Sequence, residues 1–569
     1  MYDELRTVWD QLTAPGAPFE INEVEVRGIR VKAFANAAPS LREFWLQSSG
    51  HGDKDYLVYG AERWTYTDAH REVASVAAWL SANGVSPGDR VAIAMRNYPE
   101  WLLAYWATVS MGATVVGLNA WWTGPEMVYG LRDSEPKVLI LDRERLDTLT
   151  PHRSEAGDFR LVGVRIEGDR PEGLVDWAEL RGHEPALPDV TVDPDSDACI
   201  FYTSGTTGRP KGARLTHRGC TNNDMAVAFG ALSMASAAGM AGRGGGEPGA
   251  DPPARPPLAA LVTTPLFHVT ANNCVAHAAT LAGGKLVLMY KWDAGEALAL
   301  IEREKVTNLS GVPVMARELI AHPDFDRYDT STLSALGGGG AQLQPDLVEK
   351  IDKQVKTARP GTGYGMTETC GIITSVSSDY FVDKPASAGP AMPNFEVKCV
   401  DDEGNELAPG EVGELWVRGA QVIAGYLNRP EATAETITDG WLHTGDVARI
   451  DEDGFVFIVD RAKDMVLRGG ENVYCAEVET AIFDHDAVAE CAVFGMPDDR
   501  LGEEVAAAVV LRPGADVTAD ELRAHCAARM AKYKIPRYIW LREESLPRNA
   551  NGKFMKRQLR EDLDVAEAS

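Results

Sequence analysis

The residues best suited to chemistry lie in one short run, YTSGTTGRPKG, which begins at Tyr202. Glycines let a backbone approach a polyanion closely, and successive backbone N–H groups can form an anion-binding concavity. Hydroxyl side chains add donors, and a terminal lysine adds a full positive charge. The run therefore predicts a phosphate cradle made of Thr203, Ser204, Gly205, Thr206, Thr207, Gly208 and Lys211.

This run is not a Walker A loop, in which glycine precedes the lysine and Ser or Thr follows it. Lys211 lies between Pro210 and Gly212, so no hydroxyl follows the lysine to hold magnesium. A P-loop kinase or ATPase is therefore disfavoured. The structural alternative is a Ser/Gly-rich surface turn, and the ordered spacing before a terminal lysine argues against it.

Two later glycine-rich motifs suit the remainder of a nucleotide. In LGGGGAQL, four successive glycines leave a slot without side chains for a flat purine. In GYGMTET, Tyr364 offers a ring face, Thr367 a hydroxyl donor for the α-phosphate and Glu368 a hard oxygen ligand for Mg²⁺. A tight turn at a strand end and a capped helix start are the corresponding structural alternatives.

Taken together, these motifs resemble the adenylate-forming enzymes: acyl-CoA synthetases, adenylation domains of peptide synthetases and beetle luciferases. Further segments match in the same order, so the resemblance spans residues 202–553, and the chain looks most like the bacterial fatty-acyl-CoA ligases. The resemblance implies that the nucleotide is bound by Gly339, Gly340, Ala341, Gly363, Tyr364, Gly365, Met366 and Thr367.

The resemblance also implies roles for residues in WLHTGD and DRAKDMVLRGG. Asp446 accepts from the ribose hydroxyls, and Arg461 is a second contact to ribose or phosphate. Lys463 takes the hinge position, where a residue absorbs a large dihedral change. Gly469 and Gly470 leave room for the thin pantetheine arm of a thiol cofactor. Ordinary turn residues and solvated charges are the structural alternatives.

The acid is expected next to PLFHV, where the resemblance places His268 beside the substrate carboxylate. The remaining predicted pocket residues are mostly small or uncharged: Asn272, Asn273, Gly311, Gly338 and Ile372. No cation appears among them, so a second carboxylate on the substrate is disfavoured. We predict a roomy apolar cavity for a medium- or long-chain fatty acid or a bulky alicyclic acid.

These parts suit attack of a carboxylate on the α-phosphorus of ATP, which gives an acyl-adenylate and pyrophosphate. Two anions meet in that step, and Lys211, Mg²⁺ on Glu368 and Lys553 of the NGK turn neutralise charge. By resemblance, the small domain then turns about Lys463 and the thiol of coenzyme A takes the acyl group. The predicted cofactors are ATP, Mg²⁺ and coenzyme A.

Three other functions stay open at this stage. An acyl-AMP ligase would load a separate carrier protein; because only 16 residues follow Lys553, we expect no fused carrier domain. A luciferase-like monooxygenase also begins from an adenylate. A nucleotide-binding protein without turnover is the least favoured, because the charge-neutralising residues Lys211, Glu368 and Lys553 are all present.

The sequence around the motifs predicts a layered α/β fold. Residues 64–115 alternate between amphipathic helical patterns and short apolar strands such as VAIAM. We expect Thr67 or Asp68 to cap the first of these helices and Gly84 to end it. The Gly/Ala/Pro-rich residues 233–257 predict a flexible surface loop.

The second half of the chain has a different sequence pattern. The pattern of residues 390–459 predicts β-hairpins joined at turns such as DEDG. We assign these hairpins to an N-terminal AMP-binding domain over residues 1–459. We place a hinge at 460–463 and a small, mobile α+β domain at 464–569. Thr518 is the expected cap of the helix in TADELRAHCAARM.

Composition limits the partners of the chain. Its 569 residues carry a formal charge of −28, which argues against binding to nucleic acid or to anionic lipid. The eight cysteines form no CxxC pair, and we find neither a signal peptide nor an apolar run long enough to span a membrane. We expect a cytoplasmic enzyme whose partners are a small carboxylic acid and coenzyme A, with homodimerisation left open.

Overall fold

The structure is a computed structural model that describes residues 2–182, 187–203, 209–242, 256–339, 343–355, 357–469, 471–549 and 552–569. By contacts the chain divides into two units. The large unit comprises Met1–Leu343, Leu347–Glu396 and Val417–Leu442. The small unit comprises Gln344–Asp346, Val397–Trp416 and His443–Ser569.

The first sheet of the large unit has seven strands. In spatial order they are Lys211–Thr216, Asp197–Thr203, Thr114–Gly117, Arg90–Ala94, Val138–Asp142, Arg160–Val164 and Leu174–Asp176. Every neighbouring pair is parallel except the first, which is an antiparallel hairpin. The inner strands are short, apolar and buried, as expected where a parallel sheet is covered on both faces.

The second sheet has eight strands and supplies most of the predicted nucleotide motifs. In spatial order they are Gly371–Ser377, Arg359–Met366, Ala335–Gly338, Asn308–Gly311, Ala259–Val262, Lys285–Leu288, Asp55–Tyr59 and Glu62–Thr65. The inner pairs are parallel, and an antiparallel hairpin forms each edge. A separate two-stranded hairpin joins Ile21–Val26 to Ile29–Phe34.

Thirteen α-helices precede residue 437 among the described residues. They are Asp3–Thr13, Leu41–Ser48, Tyr66–Ala82, Pro99–Ser110, Gly124–Ser134, Arg143–Leu149, His217–Met240, His277–Leu281, Ala294–Glu304, Pro313–Ala321, Pro345–Gln354, Ser378–Asp383 and Pro430–Thr436. The Pro99–Ser110 helix is buried along its whole length and forms the centre of the core. In the described part of the chain no helix has the length and apolarity that crossing a bilayer requires.

Two local predictions in this region need correction. The cap of the Tyr66–Ala82 helix is Thr65, whose side chain accepts from the Asp68 N–H in a capping box; neither Thr67 nor Asp68 is the cap. Residues 233–240 are not a loop, because the His217–Met240 helix includes them and buries four of their side chains. Alanine and methionine favour helix strongly, and packing decided the outcome. Residues 243–255 lie outside the described residues.

The small unit has a five-stranded sheet. Four strands follow the order Glu471–Val473, Val466–Arg468, Gly502–Leu511 and Val488–Asp498, and Tyr538–Arg542 pairs in parallel with Gly502–Leu511. Its helices are Cys475–Phe483, Ala519–Ala527 and Lys556–Asp562. The predicted Thr518 cap is confirmed, in a capping box with Glu521.

The predicted β-rich stretch is confirmed. Its strands are Gly389–Pro390, Phe395–Val400, Val412–Gly419, Ile437–Thr438, Trp441–Ile450 and Phe455–Arg461. The last two strands form an antiparallel hairpin about residues 451–454. Because residues 443–461 belong to the small unit by contacts, that unit begins before the predicted hinge. The hinge at 460–463 stays a prediction.

Candidate functional site

The two ends of the phosphate motif lie on paired strands of the large unit. The Asp197–Thr203 and Lys211–Thr216 strands pair so that Thr203 lies opposite Lys211 and Tyr202 opposite Gly212. The buried Tyr202 hydroxyl donates to the Asp133 carboxylate over 2.9 Å. The two ends of the predicted cradle are therefore held together at its base, whereas Ser204, Gly205, Thr206, Thr207 and Gly208 lie outside the described residues.

A tyrosine that the motifs do not contain connects the two strongest of them. The Lys211 Nζ atom lies 5.1 Å from the centre of the Tyr426 ring. The Tyr426 hydroxyl donates to Glu368 Oε1 over 2.8 Å. The chain around Tyr426 is fixed to the phosphate motif, since the Leu427 N–H donates to the Gly212 carbonyl over 2.8 Å. Lys211 and Glu368 are thereby placed beside one ring.

The electrostatics of this group suit a metal that arrives with phosphate. Glu368 is only 8% exposed. Burial first, and then the adjacent Glu368 carboxylate, raise the pKa of Tyr426, so its phenol remains a hydrogen-bond donor. No cluster of three or more His, Cys, Asp or Glu in the described ranges could hold a metal by itself. A single carboxylate fits Mg²⁺, which prefers one or two carboxylates together with phosphate oxygens.

The GYGMTET motif lies where a strand bends. Tyr364 pairs with Thr374, and the register shifts before Gly365, which lies opposite Ile372. A Cβ atom on Gly365 would lie 1.9 Å from the Gly371 carbonyl oxygen, so glycine is required there. Thr367, Glu368 and Thr369 then form one 3₁₀ turn. The bend ends the strand that carries Gly363 and Met366 and turns the chain into the Glu368 segment.

The predicted purine slot lies on three parallel strands. Gly338 is the register partner of both Gly311 and Thr362, and the Gly339 N–H donates to the Gly311 carbonyl over 3.0 Å. A Cβ on Gly338 would lie 1.9 Å from Leu343 Cδ1. The structure thus brings Gly339, which was predicted to contact the purine, next to Gly311 and Gly338, which were predicted for the acid pocket, and both roles stay predictions. Gly340 and Ala341 lie outside the described residues.

His268 follows a loop that Asn97 holds in place. The Asn97 side chain donates to the Thr264 carbonyl over 2.9 Å and accepts from the Leu266 N–H over 3.0 Å. His268 is half-buried and precedes a π-helical segment, Thr270–Ala276. Asn97 was missed from the sequence; an asparagine shortly after a buried strand was the available signal.

Asn272 and Asn273 are fully buried and bonded to protein. The Asn273 amide donates to the Cys370 carbonyl and the Asn272 amide donates to Asn273 Oδ1, each over 2.9 Å. A third buried amide, Asn223, accepts from the Ile372 N–H over 2.9 Å. These contacts brace the chain that follows the Glu368 turn. Contact of Asn272, Asn273 or Ile372 with the acid stays a prediction.

Within the small unit, the two predicted ribose contacts lie beside each other. Asp446 and Arg461 are register partners on adjacent strands, and Arg461 Nε is 3.3 Å from Asp446 Oδ1. Lys463 is exposed in the turn that follows, where the Asp464 and Met465 N–H groups donate to the Arg461 carbonyl. An exposed turn directly after a strand suits the predicted hinge.

The other small-unit residues lie in tight turns. Gly469 has φ of +61°, and its N–H donates to the Leu501 carbonyl over 2.8 Å. Gly470 lies outside the described residues. Lys553 follows Gly552, whose φ is +71°, and the Asn549 side chain accepts from the Lys553 N–H over 3.0 Å.

A partly buried lysine next to these elements was also missed. Lys556 Nζ lies 2.8 Å from Glu479 Oε1. Although burial alone lowers the pKa of Lys556, Glu479 and other nearby acidic groups, Asp460 among them, raise it overall. Asp460 accepts from the N–H groups of Arg461 and Cys475. This group joins the strand before the predicted hinge to the helix after Lys553.

Comparison with known proteins identifies the family. The AMP-binding enzyme model matches residues 44–427, and the model of the AMP-binding enzyme C-terminal domain matches residues 477–553. The chain belongs to the AMP-binding enzyme family. The predicted adenylate-forming superfamily, and the predicted class of AMP-forming acid–thiol ligase using ATP, Mg²⁺ and coenzyme A, are confirmed.

Two relatives of the chain are named for different acids. A feruloyl-CoA synthase of Amycolatopsis sp. is 38% identical over 505 residues, covering 88% of this chain and 94% of the relative. A long-chain-fatty-acid–CoA ligase of Bacillus subtilis (strain 168) is 33% identical over 540 residues, covering 90% and 92%.

A solved structure agrees with the fold. The ATP-bound MatB of Rhodopseudomonas palustris superposes with a TM-score of 0.77 at 29% identity, covering 92% of this chain and 99% of that one. The predicted α/β fold, with a large N-terminal and a small C-terminal domain, is confirmed. The chain is thus an ATP-dependent acyl- or aryl-CoA ligase.

Proposed function

We propose that this ligase activates an apolar monocarboxylic acid, preferably an aryl acid, and passes the acyl group to the thiol of coenzyme A. The observation that carries the proposal is the placement of the Lys211 cation and the Glu368 carboxylate beside the Tyr426 ring, at the base of the phosphate motif. A cation and a magnesium ligand at one phosphate-binding turn suit attack on the α-phosphorus of ATP.

The chemistry needs charge neutralisation rather than a nucleophilic side chain. The acid itself attacks phosphorus, and pyrophosphate leaves with the electron pair of the broken P–O bond. Lys211 offsets charge on the triphosphate, and the Tyr426 phenol keeps the Glu368 carboxylate in one orientation. Mg²⁺ bound with ATP supplies further positive charge at Glu368. From its motif we carry over Lys553 as the second cation of the adenylation step.

The acid class rests on the pocket residues and on the relatives. Gly311 and Gly338, two of the predicted pocket residues, are register partners on adjacent strands. None of the six predicted pocket residues is a lysine or an arginine, which argues against a dicarboxylate. The relative at 38% identity is named for feruloyl-CoA, and this favours an aryl acid over the medium- or long-chain fatty acid or bulky alicyclic acid that the sequence suggested.

The test is acid-dependent formation of AMP and pyrophosphate by the purified protein, with and without coenzyme A. The panel is ferulate, 4-coumarate, octanoate, palmitate, a bulky alicyclic acid and malonate. We expect the highest kcat/KM with an aryl acid, no turnover of malonate, and a CoA thioester detected by mass. A leading rate with octanoate or palmitate would overturn the acid class. Absence of AMP with every acid would overturn the function itself.

A further inference from the structure

One helix of the large unit, Gly124–Ser134, contacts the phosphate motif at both of its ends. At the first end, the Tyr202 hydroxyl donates to Asp133 Oδ2 over 2.9 Å. At the second end, the Pro210 carbonyl accepts from the Tyr129 hydroxyl over 2.9 Å. Tyr129 and Asp133 are four residues apart and therefore lie on the same face of the helix. The separation of the two ends is thus tied to one rigid element.

An arginine from a distant segment joins these two contacts to each other. The Arg429 Nη2 group donates to Tyr129 Oη over 3.0 Å, and Arg429 Nη1 lies 3.6 Å from Asp133 Oδ1. The Tyr129 hydroxyl therefore accepts from Arg429 and donates to Pro210. The neighbouring Asn428 side chain donates to the Asp133 carbonyl over 2.9 Å. Both ends of the phosphate motif are consequently linked through one guanidinium.

Helix formation does not account for the carboxylate in this group. Asp133 lies in the last turn of its helix, where a negative charge opposes the helix dipole. Its side chain is nevertheless only 8% exposed, against 39% for Arg429. Burial first, and then the Asp133 carboxylate, raise the pKa of Tyr202, so the phenol remains a donor. A carboxylate that opposes its own helix but binds groups from two other segments is suited to fixing those segments.

The segment that carries Arg429 also contacts the charged groups of the site. Tyr426, three residues earlier, lies against Lys211 and donates to Glu368. Lys211 directly follows Pro210, whose carbonyl is held by Tyr129. A displacement of the Pro210 carbonyl would therefore displace the backbone of the lysine.

We propose that Arg429 is a positioning residue for the adenylation step: through Tyr129 and Asp133 it sets the separation of the two ends of the phosphate motif, and with it the position of Lys211 against the triphosphate. The planar fork of a guanidinium bonds two partners in fixed directions, whereas an ammonium group is a point charge. The inference rests on the proposed function, which assigns Lys211 to the charge of the triphosphate.

The experiment measures the two half-reactions separately for Arg429→Gln, Arg429→Lys and Tyr129→Phe. The first is ATP–pyrophosphate exchange without a thiol, with the best acid of the panel above. The second is thioester formation from coenzyme A and the supplied acyl-adenylate of that acid. The adenylate lacks the two outer phosphates, so the second half-reaction does not depend on the position of Lys211. Arg63→Gln is the control, because Arg63 also joins an exposed guanidinium to a buried carboxylate, Glu304, over 2.8 Å in the large unit.

We expect Arg429→Gln to lower kcat/KM for Mg-ATP in the exchange reaction about tenfold to a hundredfold, because a small displacement of a reacting group has effects of that size. Tyr129→Phe loses a single hydrogen bond and should lower it about twofold to tenfold. Arg429→Lys should recover little of the loss. Added to Lys211→Met, Arg429→Gln should cause no further loss, because the lysine through which it acts is gone. Thioester formation should keep the unaltered rate in the Arg429 and Tyr129 variants, and Arg63→Gln should change neither half-reaction.

Four outcomes would overturn the inference. An equal loss in both half-reactions would indicate a general structural defect. A full effect of Arg429→Gln with none for Tyr129→Phe would indicate that the guanidinium contacts the triphosphate directly. Full activity of Arg429→Lys would show that a charge, rather than a bridge between two partners, is needed. A further loss on adding Arg429→Gln to Lys211→Met would exclude the route through the lysine.

Failure of the proposed function is distinct from all four outcomes. The unaltered enzyme would then catalyse no acid-dependent exchange between ATP and pyrophosphate.

Discussion

Two lysines, one in each unit, have different contacts. In the large unit, Lys211 contacts the face of Tyr426, and the nearby Glu368 is bonded to the phenol of that tyrosine. Across the described ranges no carboxylate lies within ion-pair distance of Lys211. In the small unit, the Lys556 side chain is 19% exposed and pairs directly with Glu479 at 2.8 Å.

The difference indicates which lysine is available for a ligand. A cation over an aromatic face keeps its charge and gains about 0.5–1 kcal/mol at an exposed site. A partly buried ion pair instead uses the charge to offset desolvation, and removal of one partner leaves an uncompensated charge. We therefore expect loss of Lys211 to affect the reaction and loss of Lys556 to affect folding.

The largest effect on folding is expected for Lys556→Met, which leaves Glu479 and Asp460 without a nearby cation. The free energy of unfolding should fall by about 1.5–3 kcal/mol, measured by chemical denaturation. Lys532→Met, at an exposed lysine of the same unit, is the control and should change it little. The double variant Lys556→Met with Glu479→Met should recover most of the loss. A stable single variant would contradict the assigned role.

Lys211→Met should have the opposite effect to Lys556→Met: it should lower the activity and leave the stability almost unchanged. Removal of a charge that offsets the triphosphate should lower acid-dependent ATP–pyrophosphate exchange by about 100- to 1,000-fold. The free energy of unfolding should change by less than about 1 kcal/mol, because only the contact with the Tyr426 ring is lost. Lys291→Met, at an exposed lysine of the large unit, should leave both quantities unchanged. Unfolding of Lys211→Met would remove the contrast between the two lysines.

Local glycine and hydroxyl spacing marks Lys211 and Glu368 as candidates in the sequence, and the structure places both beside Tyr426. The sequence was sufficient for strands such as Arg90–Ala94, whose apolar residues follow a clear turn. It was insufficient for Tyr426, Asn97 and Lys556, since each acts through contacts with residues distant in the chain and lies in no motif. Residues 233–240 were misjudged because they were grouped with the Gly/Pro-rich residues that follow, although their alanines and methionines favour helix and four of their side chains are buried.

The carboxyl next to Lys556 gives a pH test of the small unit. Burial, opposed by Lys556, raises the pKa of Asp460 from 3.8 to about 6. The folded state then binds more protons than the unfolded state between these values, so this contribution is present below pH 3.8 and lost as the pH rises through about 6. The free energy of unfolding of the unaltered protein minus that of Asp460→Asn should therefore fall by about 1–3 kcal/mol between pH 4 and pH 7. A constant difference would contradict burial of this carboxyl; the exposed Asp520→Asn is the control.

The smallest effect is expected for Tyr426→Phe, which keeps one of the two contacts of that residue and removes the other. The ring face under Lys211 remains, whereas the hydrogen bond to Glu368 is lost, and a hydrogen bond to a charged group contributes about 1.5–3 kcal/mol at most. Because water or Mg²⁺ replaces part of that bond, we expect a rise of about threefold to tenfold in the KM for Mg-ATP with little change in kcat. Excess Mg²⁺ should reduce the defect, since the loosened carboxylate still binds the ion. A fall in kcat as large as that of Lys211→Met would contradict this assignment. It would show that the Tyr426 phenol itself contacts the reacting phosphate, rather than only orienting Glu368.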